Sequence, residues 1–172
     1  MGHNILADRK WPRPSGRRPG QFQTNSHPTQ VQGTRAAELA LFVLYDSPVG
    51  CVCDHPSHYL GQAGADFLQV VPTVWDDTRV LDGAVGEYLV MARQSGDSWF
   101  VGALTDQTRR KLPLKLSFLG PGEWNMTIWK DAADADVHAE SLIVEESVVT
   151  AADTIDLSLA PAGGAVARFT KE

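Results

Sequence analysis

The chain has 172 residues, 43% hydrophobic and 21% charged, ordinary globular values that exclude wholesale disorder. No apolar run approaches the ~18–20 residues of a membrane-spanning helix, so no membrane partner is expected. The net charge of −6 divides into a basic leader, five Lys/Arg against one acid in residues 1–30, and an acidic body, ten Lys/Arg against twenty acids in residues 31–172, which repels phosphate backbones and excludes nucleic acid as a partner.

Residues 1–30 read as a Pro/Arg-rich leader, expected to be disordered. Its longest apolar stretch, Ile5-Leu6-Ala7, falls short of the ~7–15 residues of a secretory h-region, so no signal peptide is read and localisation stays unassigned. Pro12, Pro14 and Pro19 would break the amphipathic helix of a presequence. The next segment, 33–47, is the clearest helix: Thr34 can cap it, and Ala36, Ala37, Leu39, Ala40, Leu41, Phe42, Val43 and Leu44 follow. Apolar residues surround nearly the whole circumference, which predicts burial on several sides. Ser47-Pro48 ends the helix. Residues 49–53 then suit a strand buried on both faces, closed by Asp54, His55 and Pro56, with a second short helix running to about Val71. Helix, buried strand and helix in so short a span make one piece of a parallel α/β layer.

From Val74 onward the pattern becomes alternating. Residues 86–93, 98–105, 112–118, 123–131, 141–148, 154–159 and 165–170 are strand candidates, with turns at Ser95-Gly96-Asp97 and Gly120-Pro121-Gly122. About eight short strands with frequent turns describe an antiparallel β-sandwich, so the fold is expected to be mainly β, with a domain boundary near residue 72.

Several constellations could carry chemistry. Cys51-x-Cys53-Asp54-His55-x-x-His58 gathers four possible metal ligands, but C-x-C is too tight for a zinc knuckle and no second pair follows. The preferred reading is thiols in a strand and histidines beyond it, with no metal site. Asp54 directly follows the predicted parallel-type strand, and carboxyl ends of such strands line active sites in α/β barrels, which makes it a substrate-binding candidate beside the simpler reading of a capping residue. Asp131, Asp134 and Asp136 resemble a calcium loop only loosely, lacking the central glycine and the final glutamate, and read better as a solvated acidic turn. Trp129 falls on the strand face opposite Trp124, Met126 and Ile128, which makes it a candidate for an exposed or interface ring and a second substrate-binding candidate. No Ser-His-Asp set, phosphate loop or nucleotide fingerprint is present, and no catalytic residue is assigned.

Residues 32–168 resemble the C-terminal end of glycoside hydrolase family 97. The blocks that carry the resemblance are Gln32-Gly33-Thr34-Arg35-Ala36, Ala40-x-Phe42-Val43-x-Tyr45-x-Ser47-Pro48 and Asp54-x-Pro56-x-x-Tyr59. They continue with Val71-Pro72-Thr73-Val74-Trp75-Asp76-Asp77-Thr78-Arg79-Val80-Leu81-Asp82-Gly83 and Gly86-Glu87-Tyr88. Gly96-Asp97-x-Trp99-x-Val101-Gly102-Ala103, Leu116-Ser117-Phe118-Leu119, Lys130-Asp131 with Ala135-Asp136, and Ala160-Pro161-x-Gly163-Gly164 complete the series in order.

The resemblance implies an α-glycosidase family, retaining or inverting, acting on α-linked glucosides or galactosides and generally calcium-dependent. It implies an N-terminal β-sandwich, a central (β/α)8 barrel, and a C-terminal β-sandwich linked to oligomerisation. On that pattern residues 31–72 are the C-terminal edge of the barrel and 73–172 the C-terminal sandwich. The family's catalytic and calcium-binding carboxylates lie on earlier barrel strands, so none is carried onto this chain. The expected function is a structural and oligomerisation module, inactive by itself, needing no cofactor of its own and associating with further copies of its domain. A carbohydrate-binding sandwich using Trp129 is the alternative. Cys51, Cys53, His55 and His58 depart from the family pattern. Residues before Pro19 also fail to continue a family-like Pro-Gly-x-Phe, as a reading-frame slip upstream would produce.

Overall fold

A computed structural model describes residues 33–52 and 56–171. Its elements are helix α1 (Arg35–Leu44), a 3-10 turn (Pro56–His58), helix α2 (Ala65–Val70) and eight strands. The strands are β1 (Asp77–Ala84), β2 (Tyr88–Ser95), β3 (Ser98–Thr105), β4 (Arg110–Lys115), β5 (Glu123–Asp131), β6 (Leu142–Thr150), β7 (Thr154–Leu159) and β8 (Gly164–Thr170). Every pairing is antiparallel. Six strands form one sheet in the order β1-β2-β3-β8-β5-β6, and β4 pairs with β7 in a second. The expected mainly β sandwich is present, divided unequally.

Side-chain alternation explains the layering. Strands β3, β5 and β8 send Trp99, Val101, Ala103, Trp124, Met126, Ile128, Ala165, Ala167 and Phe169 into the core beneath the small sheet. Leu112, Leu114, Leu157 and Leu159 meet them from β4 and β7. Phe118 joins the two sides, with its ring centroid 5.3 Å from Trp99 and 5.7 Å from Phe169 in edge-on contacts. The outward residues of β4, Lys111, Pro113 and Lys115, are exposed.

The opposite face of the large sheet is buried too. Leu39, Ala40, Val43 and Leu44 of α1 and Phe67 of α2 pack on Phe100, Trp129 and Val166. This is why β3 and β8 read as nearly continuous apolar runs: each is covered on both faces. The helix approaches closely because two sheet positions lack side chains. A Cβ at Gly102 would lie 3.0 Å from Val43 Cβ, and one at Gly164 would lie 2.6 Å from Ala37 Cα.

Two expectations need correction. Residues 49–52 do not form a buried strand: Val49 is 72% exposed and Val52 makes only an isolated bridge. A strand buried on both faces needs a paired neighbour on each side, and no strand among the described residues supplies one. The strand predicted over 112–118 instead occupies Arg110–Lys115, because Leu116–Leu119 turns back with Leu119 N–H donating to Leu116 O. Strand β1 had no apolar alternation to announce it; it is a mostly exposed edge, bulged between Val80 and Asp82.

Candidate functional site

The most elaborate polar construction among the described residues lies where the N-terminus of α1 meets the ends of β5 and β7. Thr34 caps the helix, its side chain accepting from Ala37 N–H at 3.1 Å. The orphan donors at the helix start are taken up from outside it. Thr34 N–H donates to Ala162 O at 3.2 Å, and Arg35 N–H donates to Ala139 O at 2.7 Å. Ala162 is held at a φ of 54°, and its own N–H donates to Asp106 O at 2.6 Å.

Asp131, at the last position of β5, anchors the same junction. Its Oδ2 accepts from Ala160 N–H at 2.8 Å and from Gly164 N–H at 3.0 Å, while its Oδ1 is buried without a partner. Burial pushes this carboxyl above the ordinary carboxylate range, opposed by the nearby Thr34 side chain, the two amide hydrogen bonds and the charge of Arg109. A negative group beside a helix N-terminus also complements the positive end of the helix dipole. Glycine is required next to it, since a Cβ at Gly163 would lie 2.0 Å from Asp131 Oδ2. Asp131 is therefore not part of a solvated acidic turn, as its sequence neighbours suggest. Asp134 and Asp136 are exposed, and Asp136 pairs with Arg109 at 2.8 Å.

The sequence blocks around Thr34, Asp131 and Gly163-Gly164 thus converge on one knot that ties helix to sandwich. The signal that could have found it is the glycine pair. Two adjacent glycines at the start of an apolar strand mark close backbone approach rather than a flexible turn.

Trp129 is also placed differently from the sequence-based expectation. Its parity is as expected, opposite Trp124, but only 3% of it is exposed. The indole N–H donates to the Asp66 carboxylate at 3.0 and 3.1 Å, and Phe67 lies 5.2 Å away, ring centroid to centroid. The ring joins α2 to the large sheet and presents no face on which a sugar could stack. Asp54, Cys53 and His55 lie outside the described residues. Cys51 and His58 are exposed. Among the described residues no three His, Cys, Asp or Glu converge as a metal site.

A concavity of about 980 Å³ opens beside α1, walled by Leu41, Phe42, Tyr45, Val49, Tyr59 and Leu68 among others. Its lining is mostly aliphatic and aromatic, the chemistry of packing rather than of proton transfer. A second polar cluster holds the far end of β2. There Arg110 pairs with Glu87 at 2.9 Å and with Asp106, and its guanidinium lies 5.3 Å from the centroid of the Tyr88 ring. Arg110 is the principal cause holding the Asp106 carboxyl below its ordinary range.

Comparison with known proteins places this geometry. Residues 74–170 match the family described as glycosyl-hydrolase 97 C-terminal, oligomerisation. A retaining alpha-galactosidase of Bacteroides thetaiotaomicron is 40% identical over 134 residues, 77% of this chain and 20% of the relative. A probable retaining alpha-galactosidase of Streptomyces bingchenggensis is 34% identical over 149 residues, 85% of this chain and 22% of the relative. The solved structure of a glycoside hydrolase family 97 enzyme from Pseudoalteromonas sp. strain K8, in complex with acarbose, superposes with a TM-score of 0.77. It shares 38% identity and covers 82% of this chain and 23% of its own. The chain thus spans about a fifth of the length of the curated relatives it matches.

Proposed function

Because the chain belongs to glycoside hydrolase family 97 through that family's C-terminal domain, we propose that it is the structural, self-associating part of an α-glycosidase and has no turnover of its own. One observation carries the reading: the matched segment, 74–170, coincides with the run of strands β1 to β8, a sandwich in a family described by its oligomerisation. The chemistry of the fold supports it. Glycoside hydrolysis needs two carboxyl groups facing each other across a substrate, one of them able to give up a proton. Asp131, the buried carboxylate of the sandwich, is instead engaged by backbone amides inside the protein. For the longer protein, α-linked galactosides are the proposed substrate class, after the names of the two alpha-galactosidase relatives.

The test combines two measurements on the purified chain. Incubated with chromogenic α-galactoside and α-glucoside, with or without calcium, it is expected to release no more chromophore than buffer. In sedimentation velocity it is expected to be larger than a monomer. Turnover that co-purifies with the chain would overturn the non-catalytic reading, and a monomer at every concentration would overturn self-association.

A further inference from the structure

An antiparallel sheet leaves its outer strands with unpaired backbone groups, and proteins blunt such edges with bulges, prolines, lysines or short strands. Four strands of this fold are edges, β1 and β6 of the large sheet and both members of the small one. Three carry such a device. Strand β1 is bulged between Val80 and Asp82. Strand β4 holds Pro113 between Lys111 and Lys115, and β7 has only six residues.

Strand β6 carries none of these. It runs nine residues without proline, glycine or lysine, and pairs with β5 in unbroken register from Glu123↔Thr150 to Asp131↔Leu142. At ~3.4 Å per residue it offers about 30 Å of straight edge. Its side chains are exposed from Ile143 to Val148, and the valines among them, Val144 and Val148, are 43% and 59% exposed. Its acids are Glu145 and Glu146, and Lys130 neutralises Glu145 at 2.7 Å.

We propose that β6 is the surface through which this domain binds a second copy of itself, by antiparallel pairing of β6 with its symmetry mate into a continuous twelve-stranded sheet. The inference rests on the self-association reading above and names its surface. Antiparallel pairing about a twofold axis makes the interface self-complementary, as dimers require. Register follows from charge. The axis must pass through a residue, and an axis through Glu145 or Glu146 would set that acid against its own symmetry mate, which is destabilising. An axis through Ser147 sets Glu146 opposite Val148 and Glu145 opposite Val149 on either strand.

Sedimentation velocity over a concentration series, on the full chain and three single variants, tests this. In the first, Val148→Glu sets an added acid directly opposite Glu146 on both sides of the axis, from an exposed position. In the others, Glu146→Pro and Ser147→Pro are made separately. Successive N–H groups point to opposite sides of a strand, so one proline removes an outward donor and the other a donor to β5. The expected result is a dimer whose dissociation constant rises about tenfold or more in Val148→Glu and in the proline variant that keeps its thermal transition. A dimer of unchanged affinity in both would overturn the β6 assignment while leaving self-association intact. A wild-type monomer at all concentrations would overturn both.

Discussion

Replacing Gly164 by alanine tests whether the helical layer and the sheet are packed as one body. The added Cβ would lie 2.6 Å from Ala37 Cα and 2.7 Å from Ala103 O, both backbone atoms that cannot rotate away. Overpacking costs ~1–3 kcal/mol, and contacts this short against backbone belong at the upper end, about 3 kcal/mol. For a chain of this size that corresponds to a fall in Tm of about 6–12 °C. Gly102→Ala makes the milder contacts, 3.0 Å to Val43 Cβ and 3.1 Å to Ala40 O, and is expected to cost about 1 kcal/mol. Gly120→Ala is the control, since its nearest neighbours are 3.9 Å away. Alanine narrows the unfolded ensemble at each site by a similar ~0.4–1 kcal/mol, so differences between the three variants isolate the native-state clash. Thermal melts give the ordering, and amide exchange locates it: protection should fall first in α1. If Gly164→Ala melts within about 2 °C of Gly120→Ala, the close approach of helix and sheet is not as described.

Asp131→Ala should cost about 2–5 kcal/mol by orphaning the Ala160 and Gly164 amides, whereas Asp131→Asn keeps the acceptor and removes a buried charge, at a cost within about 1 kcal/mol. Burial raises the folded carboxyl above the ordinary aspartate range, so its contribution is full in acid, below that range, and is lost as pH rises through the folded value. Melts of wild type minus Asp131→Asn should therefore show a difference that shrinks as pH rises from acid to neutral; a flat or growing difference would contradict the burial argument. Trp129→Phe removes the indole donor to Asp66 and should cost about 1–2 kcal/mol, with faster amide exchange in Ala65–Val70, and unchanged exchange there would show that the bond does not hold α2.

Local periodicity made much of this fold legible. Strands β3, β5 and β7 occupy the predicted residues, and α1 lies within the predicted 33–47. What escaped depends on partners distant in sequence. The facing of Trp129 follows from alternation along β5, but its burial comes from Asp66 and Phe67, more than sixty residues earlier. Asp131 looked like one acid among several, because the amides that enclose it belong to the β7–β8 connection. Strand β1 lacked a pattern because an edge strand exposed on most of its length has little apolar face to alternate. Residues 49–52 show the reverse error: an apolar run looks buried whether or not its pairing partners stand beside it.

The order of the large sheet has a consequence for biosynthesis. Strand β8, Gly164–Thr170, stands between β3 and β5, and among the described residues no other strand joins the two halves. A nascent chain can form the β1-β2-β3 and β5-β6 meanders early, each from neighbours in sequence, yet both await a strand made more than thirty residues after β5. Closure then depends on contacts of long sequence separation, the slow kind. Until Thr170 has left the ribosome, Phe100, Val101 and Trp129 have no sheet neighbour on that side, so this is the interval in which a chaperone would find the domain.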